Sequence, residues 1–307
     1  MQRMRHIILQ EPFRAVFYAP FYAALARDAY AAVGVKVTVL AGTQPSLAKH
    51  SVLSGAAHLA WGGPMRVLLA HDADAASPLR NFGAAILGDP FFLIGRTPRL
   101  DFRLTDLAHM TLGTVSEVPT PWWTLQDDIR RAGLDPASVK RVTDQPMSAN
   151  AAAVAEGRLD VAQLFEPFAS QMERDGTGHV WHAAAARGPT SYTTFYSTAA
   201  NIAEYAPEFR AMIRGLAATQ LWFMAATPAD IARTIEGYFP GMDQALLAAC
   251  IARYRGLGIW TADPHFPAEP FDRLQACMLS GGAITRAPGY AHCVDDVIVT
   301  EALNQAA

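Results

Sequence analysis

Gly55-Ala56-Ala57-His58-Leu59-Ala60-Trp61-Gly62-Gly63-Pro64 and Gly157-Arg158-Leu159-Asp160-Val161-Ala162-Gln163-Leu164-Phe165-Glu166-Pro167 are two copies of one pattern. A glycine closes a helix, because only glycine takes the left-handed conformation there without steric cost. A polar residue and a short apolar run follow, too brief for a helix and of strand length. A turn then ends in proline, whose missing N–H is harmless at the start of the next helix. Each copy is therefore a helix–strand–helix unit, and the repetition predicts two related α/β lobes.

Working outward, residues 6–10 (HIILQ), 36–40 (KVTVL), 91–95, 111–115 and 139–143 read as further strands. Helical patterns over 20–33, 46–53, 64–71, 121–132 and 146–156 lie between them. Strands alternating with helices imply βαβ units on parallel sheets. Beyond residue 198 the chain turns helical, over 206–226, 228–238, 243–254, 270–279 and 294–306. Those helices carry apolar stripes that need a surface. The expected architecture is a two-lobe α/β fold with a ligand cleft between lobes and a helical C-terminal part packed on the first. Residues 1–89 with 198–307 form lobe I and residues 90–197 form lobe II, joined by crossings near 88–90 and 192–197 that serve as hinges.

Composition narrows the function. Hydrophobic residues make up 51% of the 307 and charged residues 17%, enough apolar material for two cores. Lys and Arg number 25 against 28 Asp and Glu, with no basic cluster, which argues against a nucleic-acid surface. No apolar run reaches the length of a membrane span. Cys250, Cys277 and Cys293 are widely spaced and read as buried thiols rather than a disulfide framework or a zinc site. Arg3 and Arg5 lead into only His6-Ile7-Ile8-Leu9 before Gln10-Glu11-Pro12, a run that reads as the first strand rather than as an export signal.

Six prolines, Pro20, Pro45, Pro64, Pro121, Pro146 and Pro167, stand where a strand turns into a helix. In open α/β sheets those turns lie at the carboxyl ends of the strands, where ligands bind. Free amides and the positive pole of each helix collect there. The turns hold Arg14, Tyr18, Gln44, Trp61, Gly62, Gly63, Arg66, Ser116, Glu117, Thr120, Trp122 and Glu166, the candidate ligand-binding residues. Aromatic rings with a few polar groups suit a small, flat organic molecule. Arg14 and Arg66 read either as an anion clamp or as solvated arginines. Glu117 and Glu166 read either as acceptors for ligand N–H groups or as helix caps. The ligand's charge therefore stays open. No catalytic set, metal-ligand spacing or cofactor-binding fingerprint is present in the sequence. A protein that binds without catalysis, cofactor or metal is the expectation.

Several stretches carry a resemblance: Phe17-Tyr18-Ala19-Pro20-Phe21-Tyr22-Ala23-Ala24-Leu25, Gly34-Val35-Lys36-Val37, Leu53-Ser54-Gly55-Ala56-Ala57-His58-Leu59-Ala60, Gly62-Gly63-Pro64, Gly157-Arg158-Leu159-Asp160-Val161 and Gly281-Gly282-Ala283-Ile284. In order and spacing they resemble the nitrate/sulfonate/taurine/thiamine-precursor substrate-binding proteins of ABC importers. That family has the type 2 periplasmic-binding-protein fold. The resemblance implies a monomer that closes two lobes on a small organic ligand, either a heterocycle such as a thiamine-pyrimidine precursor or an organic sulfonate or carboxylate. It also implies an importer permease as partner and a periplasmic location. A cytoplasmic enzyme on the same fold, an aromatic-acid decarboxylase or cofactor-precursor synthase, is the alternative that the lack of an export signal raises. Synthase members use a cysteine-rich motif and a lysine that forms an adduct with a pyridoxal cofactor. Gly62-Gly63-Pro64 occupies the region of that lysine. In the first copy of the repeat, His58 replaces the acidic residue that relatives place after the glycine; Asp160 keeps it in the second.

Overall fold

The computed structural model describes residues 5–42 and 47–304. The chain opens with β1 (Ile7–Gln10), α1 (Ala19–Ala26), α2 (Ala29–Ala32), β2 (Val37–Leu40), α3 (Leu47–Leu53), β3 (Leu59–Gly62), α4 (Met65–Ala73) and β4 (Leu79–Ile86). It crosses to β5 (Phe92–Gly95), β6 (Thr111–Gly113), α5 (Thr120–Arg131), β7 (Lys140–Val142), α6 (Met147–Ala155), β8 (Val161–Leu164), α7 (Phe168–Arg174) and β9 (His179–Ala183). It returns as β10 (Thr193–Thr198), followed by α8 (Ala199–Glu204), α9 (Ala206–Ala225), α10 (Pro228–Ile235) and α11 (Gln244–Gly256). The last helices are α12 (Ala268–Ser280), α13 (Tyr290–Cys293) and α14 (Val297–Asn304).

Two five-stranded sheets result, ordered β2-β1-β3-β10-β4 and β7-β6-β8-β5-β9. Their plans match. In each, three strands run parallel and a fourth lies antiparallel between the third and an edge strand. That fourth strand, β10 or β5, is the one entering directly after a crossing. Residues 193–197, assigned to lobe II from the sequence, therefore pair in the first sheet, where β10 fills the gap between β3 and β4. The two crossings run side by side: Thr190 N–H donates to the Leu87 carbonyl at 2.7 Å and Tyr192 N–H to that of Ile86 at 3.0 Å.

The repeat that opened the sequence reading has a structural reason. Asp160 accepts the Thr111 N–H at 2.7 Å, and His58 accepts the Ile8 N–H through Nδ1 at 2.9 Å. Both side chains satisfy an amide at or near the start of the neighbouring parallel strand, so an imidazole does here what a carboxylate does in the second sheet.

Three expected elements differ. The helix expected over 20–33 divides into α1 and α2, because Asp28 adopts a left-handed conformation (φ 52°) that aspartate tolerates better than most residues. The helix expected from 294 begins only at Val297, because Val294 is extended, and a short helix, α13, precedes it. β4 was not expected as a strand. Six of its last seven residues are buried with no alternation, and Gly83 interrupts it at φ 59°, where the Phe195 ring packs.

The C-terminal helices do more than cover the first sheet. α9 packs on α1, α2 and α14, and Gly215 lets the Ala29 carbonyl approach to where a Cβ would meet it at 2.8 Å. α12 lies against α4 of the first lobe and α5 of the second, and α11 packs on α7. α11 and α12 therefore straddle both halves and span the gap between them.

Candidate functional site

A cavity lies in that gap, with about 430 Å³ of atom-free space, part of it opening to solvent. Only about 30 Å³ of it can hold the centre of a water-sized molecule, so a ligand larger than a few waters enters only as the lobes part. Three helix starts converge on it. The turn into α1 brings Phe13, Phe17 and Tyr18; the start of α4 brings Gly63, Pro64, Met65 and Arg66; the start of α5 brings Val118 and Thr120. The two crossings add Phe91, Ser191 and Tyr192, and α12 adds Leu274.

The rings form a continuous wall. Phe17 meets Tyr18 at 4.3 Å and Tyr192 at 5.9 Å, centroid to centroid. Phe165 stands behind, in contact with Phe13, Phe17 and Phe91. Trp260, from the segment after α11, donates its indole N–H to the Phe17 carbonyl at 2.9 Å and fixes that turn in place.

Polar groups in and behind this wall lack partners. Among the described residues, Arg66 Nε, Ser191 Oγ and Tyr192 OH are buried without a hydrogen bond, as are Trp61 Nε1 and Tyr196 OH next to the wall. Native proteins pair nearly all such groups, so a cluster of orphans calls for an explanation. Burial raises the phenols of Tyr18, Tyr192 and Tyr196 well above their ordinary value; the Arg66 charge opposes this at Tyr18 and Tyr196. All three therefore stay protonated and can donate. Among the described residues, no histidine, cysteine or carboxylate lines the cavity.

The structure separates the sequence candidates. Tyr18, Gly63, Arg66 and Thr120 line the cavity. Trp61 lies behind Tyr18, stacked on Phe21 at 5.2 Å, and Gly62 packs where a Cβ would stand 3.2 Å from the Tyr196 ring. Gln44 falls outside the described residues.

Five further candidates do not line the cavity. Arg14 is held by Glu11 (2.9 Å) and lies over the Tyr22 and Tyr238 rings, so its charge is already matched. Glu166 is fully buried, ion-paired to Arg253 at 2.8 Å, and accepts from Ser170 N–H and Oγ–H at 2.9 and 2.8 Å. Glu117 is exposed and accepts the Met147 N–H at 2.9 Å, capping α6, while the exposed Ser116 donates to Glu117. Trp122 packs on the second lobe's core, under the Arg141 guanidinium.

Sequence reading did not single out Phe91, Ser191, Tyr192 or Leu274 as ligand contacts. One signal was available: Thr190-Ser191-Tyr192-Thr193-Thr194 is a run of five hydroxyl residues, and all five are buried. A hydroxyl-rich segment that crosses between lobes is placed to face whatever lies between them.

Fold and cavity together define a class: a two-lobe α/β protein of the periplasmic-binding-protein type, with its cleft between the lobes. Residues 17–230 match the family described as NMT1/THI5 like, and the chain belongs to that family. A curated relative, YtlA of Bacillus subtilis (strain 168), a candidate binding protein, is 22% identical over 306 residues, covering 99% of this chain and 92% of that one. The alkanesulfonate-binding protein SsuA from Xanthomonas axonopodis pv. citri, solved with MOPS, is 15% identical. It superposes with a TM-score of 0.74 over 96% of this chain and all of its own, 100%. The desulfurization enzyme DSZB shares the fold at 13% identity, with a TM-score of 0.69 over 98% of this chain and 99% of that chain. The fold thus serves binding proteins and at least one enzyme.

Proposed function

We propose that this protein is the solute-binding component of an ABC-type importer, holding one small organic ligand between its lobes and offering the closed form to a permease. Family membership and the binding-protein relatives support the substrate-binding class. The observation that carries the reading is the ring-walled cavity between two sheets, with unpartnered donors from the second crossing and from α4. Among the described residues no helix is long and apolar enough to cross a membrane. A monomer working in the periplasm fits this reading, with lobe I formed by the chain up to about residue 89 and from β10 onward. Ligand shifts such a protein toward its closed state only through better contacts there, so binding adds stability by mass action.

The test is thermal unfolding across alkanesulfonates, aryl carboxylates and sulfonates, and aminopyrimidines, with the bound compound recovered by chromatography. One class should stabilise the protein by about 2.7 kcal/mol at a concentration a hundredfold above Kd. The compound should be recovered unchanged. Conversion of that compound over several turnovers per protein molecule would replace this reading with an enzyme on the same scaffold.

A further inference from the structure

How the lobes part is a property of the scaffold, the same for a binding protein and for an enzyme built on it. The two crossings are not uniform along their length. On the first, the Leu87 and Gly88 N–H groups donate to the Ile259 carbonyl at 2.9 and 3.1 Å, and Thr261 N–H donates to that of Ala85 at 3.1 Å. Residues 259–261 thus run beside this crossing and hold it to the first lobe as far as Gly88. One residue later the attachment changes. Asp89 pairs with Arg187 at 2.6 Å and accepts the Thr124 hydroxyl at 3.0 Å, and Arg187 also pairs with Asp128 on α5. On the second crossing the order is reversed. Arg187 is held by α5, whereas Thr190 N–H donates to the Leu87 carbonyl and Ser191 N–H to that of Pro270, at 3.0 Å.

Between these anchors lie Gly88–Asp89 and Gly188–Pro189, one joint on each crossing. Gly88 leaves no room for a side chain, since a Cβ would stand 2.9 Å from Ile259 Cα. Gly188 sits at φ 89°, which residues with side chains rarely adopt. Residues 192–197, the hinge expected from the sequence, are anchored instead: Tyr192 N–H donates to the Ile86 carbonyl, and 193–197 pair in the first sheet. One side chain bridges the second joint. Arg273 of α12 donates Nη1–H to the Arg187 carbonyl, passing 3.6 Å from where a Gly188 Cβ would stand. Its neighbours Phe271 and Leu274 pack in the first lobe's core, and Leu274 also lines the cavity. We infer that the lobes pivot at Gly88–Asp89 and Gly188–Pro189, and that Arg273 is a positioning residue whose bond across the second joint sets how readily they part. Rotation at those joints shifts the Arg187 carbonyl, which travels with α5, relative to α12. The bond is charge-assisted and half-buried, so its loss opposes opening. Glu269, the other partner of Arg273 at 3.4 Å, is exposed and on the same helix, so that pair spans no joint.

Thiol labelling of the gap tests this. Thr120 is buried and lines the cavity from α5, so a thiol placed there by Thr120→Cys meets N-ethylmaleimide only when the lobes part. Where opening is brief and rare, the labelling rate measures the open fraction. Cys293, sealed in the first lobe's core, reports global unfolding in the same sample, each site being read by mass spectrometry. Adding Arg273→Met to Thr120→Cys should speed labelling at position 120 about tenfold, the factor for losing one hydrogen bond to a charged group. The Cys293 rate should not change. Arg273→Lys should fall between the two, and Glu269→Gln should stay near the parent's rate. Equal rates in Arg273→Met and its parent overturn the proposal. So does an acceleration matched at Cys293, or one that Glu269→Gln reproduces. Labelling of the parent at the rate of a free thiol would show a gap that needs no opening, and overturns it as well.

Discussion

Glu166 shows how strongly a single side chain's role depends on its surroundings. It closes a strand-turn before a helix, the place where a binding-protein carboxylate would greet a ligand. Here its two oxygens are consumed by Arg253 and Ser170, and the Cys250 thiol lies 3.5 Å away. Next to it, the Tyr254 hydroxyl contacts both the Glu166 N–H and the Pro90 carbonyl, so the cluster ties α11 to the second lobe. Removing one member of a buried ion pair leaves the other exposed to its desolvation cost. Arg253 keeps Glu173 as a second partner, which moderates the loss. Glu166→Ala should therefore destabilise the protein by about 2–3 kcal/mol, read as a lower urea midpoint, with ligand affinity of the folded fraction unchanged. Wild-type stability combined with lost binding would return Glu166 to the ligand site. The same contrast explains what could be read beforehand. Tyr18 and Arg66 were named from their place at helix starts, and both line the cavity. Arg14 and Glu166 were not separable from them, since Tyr238 and Arg253, which hold them, arrive from elsewhere in the chain.

At the scale of elements, the strands with flanking glycine and proline, β1, β2, β3 and β5 to β8, were legible from their punctuation. β4 was not, because six of its last seven residues are buried and no alternation marks it. The His58 and Asp160 positions make a sharper point about strands. Each accepts an amide of a neighbouring strand, Ile8 in β1 or Thr111 in β6. His58 can accept only while Nδ1 is unprotonated. Burial, then the nearby His6, holds its pKa below the ordinary 6.5. The folded protein thus binds fewer protons there than the unfolded chain. The stability contributed by neutral His58 is full above about pH 6.5 and is lost as pH falls through the lowered folded value. His182, also held low by burial, adds to the same trend. His58→Asp should preserve the contact and flatten the fall in urea midpoint between about pH 7 and 5, because a carboxylate titrates near 3.9. His58→Ala should lose about 1 kcal/mol at pH 8 by leaving the Ile8 amide unpaired. Parallel pH profiles for wild type and His58→Asp would show that the imidazole does not carry this dependence.

Across the whole molecule, two sheets of matching plan are joined by two crossings that pair side by side. A buried cluster braces the crossings: Asp89 on the first, Arg187 before the second and Asp128 on α5, with Arg273 of α12 donating to the Arg187 carbonyl. Burial pushes the Asp128 carboxyl up, while its bonds to Arg187 pull it down. The helices that straddle the lobes, α11 and α12, add further ties at Arg253 and at Arg130–Ser280. The two-lobe plan was legible because it is written twice, in the repeated glycine-to-proline units. That, among the described residues, only three of the expected helix starts line the cavity was not. α6 is capped by Glu117 and the start of α7 by Glu166, both through tertiary contacts that local pattern cannot express. The central claim, one small ligand enclosed between the lobes, is tested most directly by a crystal structure with the tightest compound from the thermal screen. The account predicts one bound molecule in the interlobe cavity, in contact with residues of both lobes such as Arg66 and Thr120. A compound bound on an outer face, with the interlobe cavity left as it is in the unliganded protein, would contradict it.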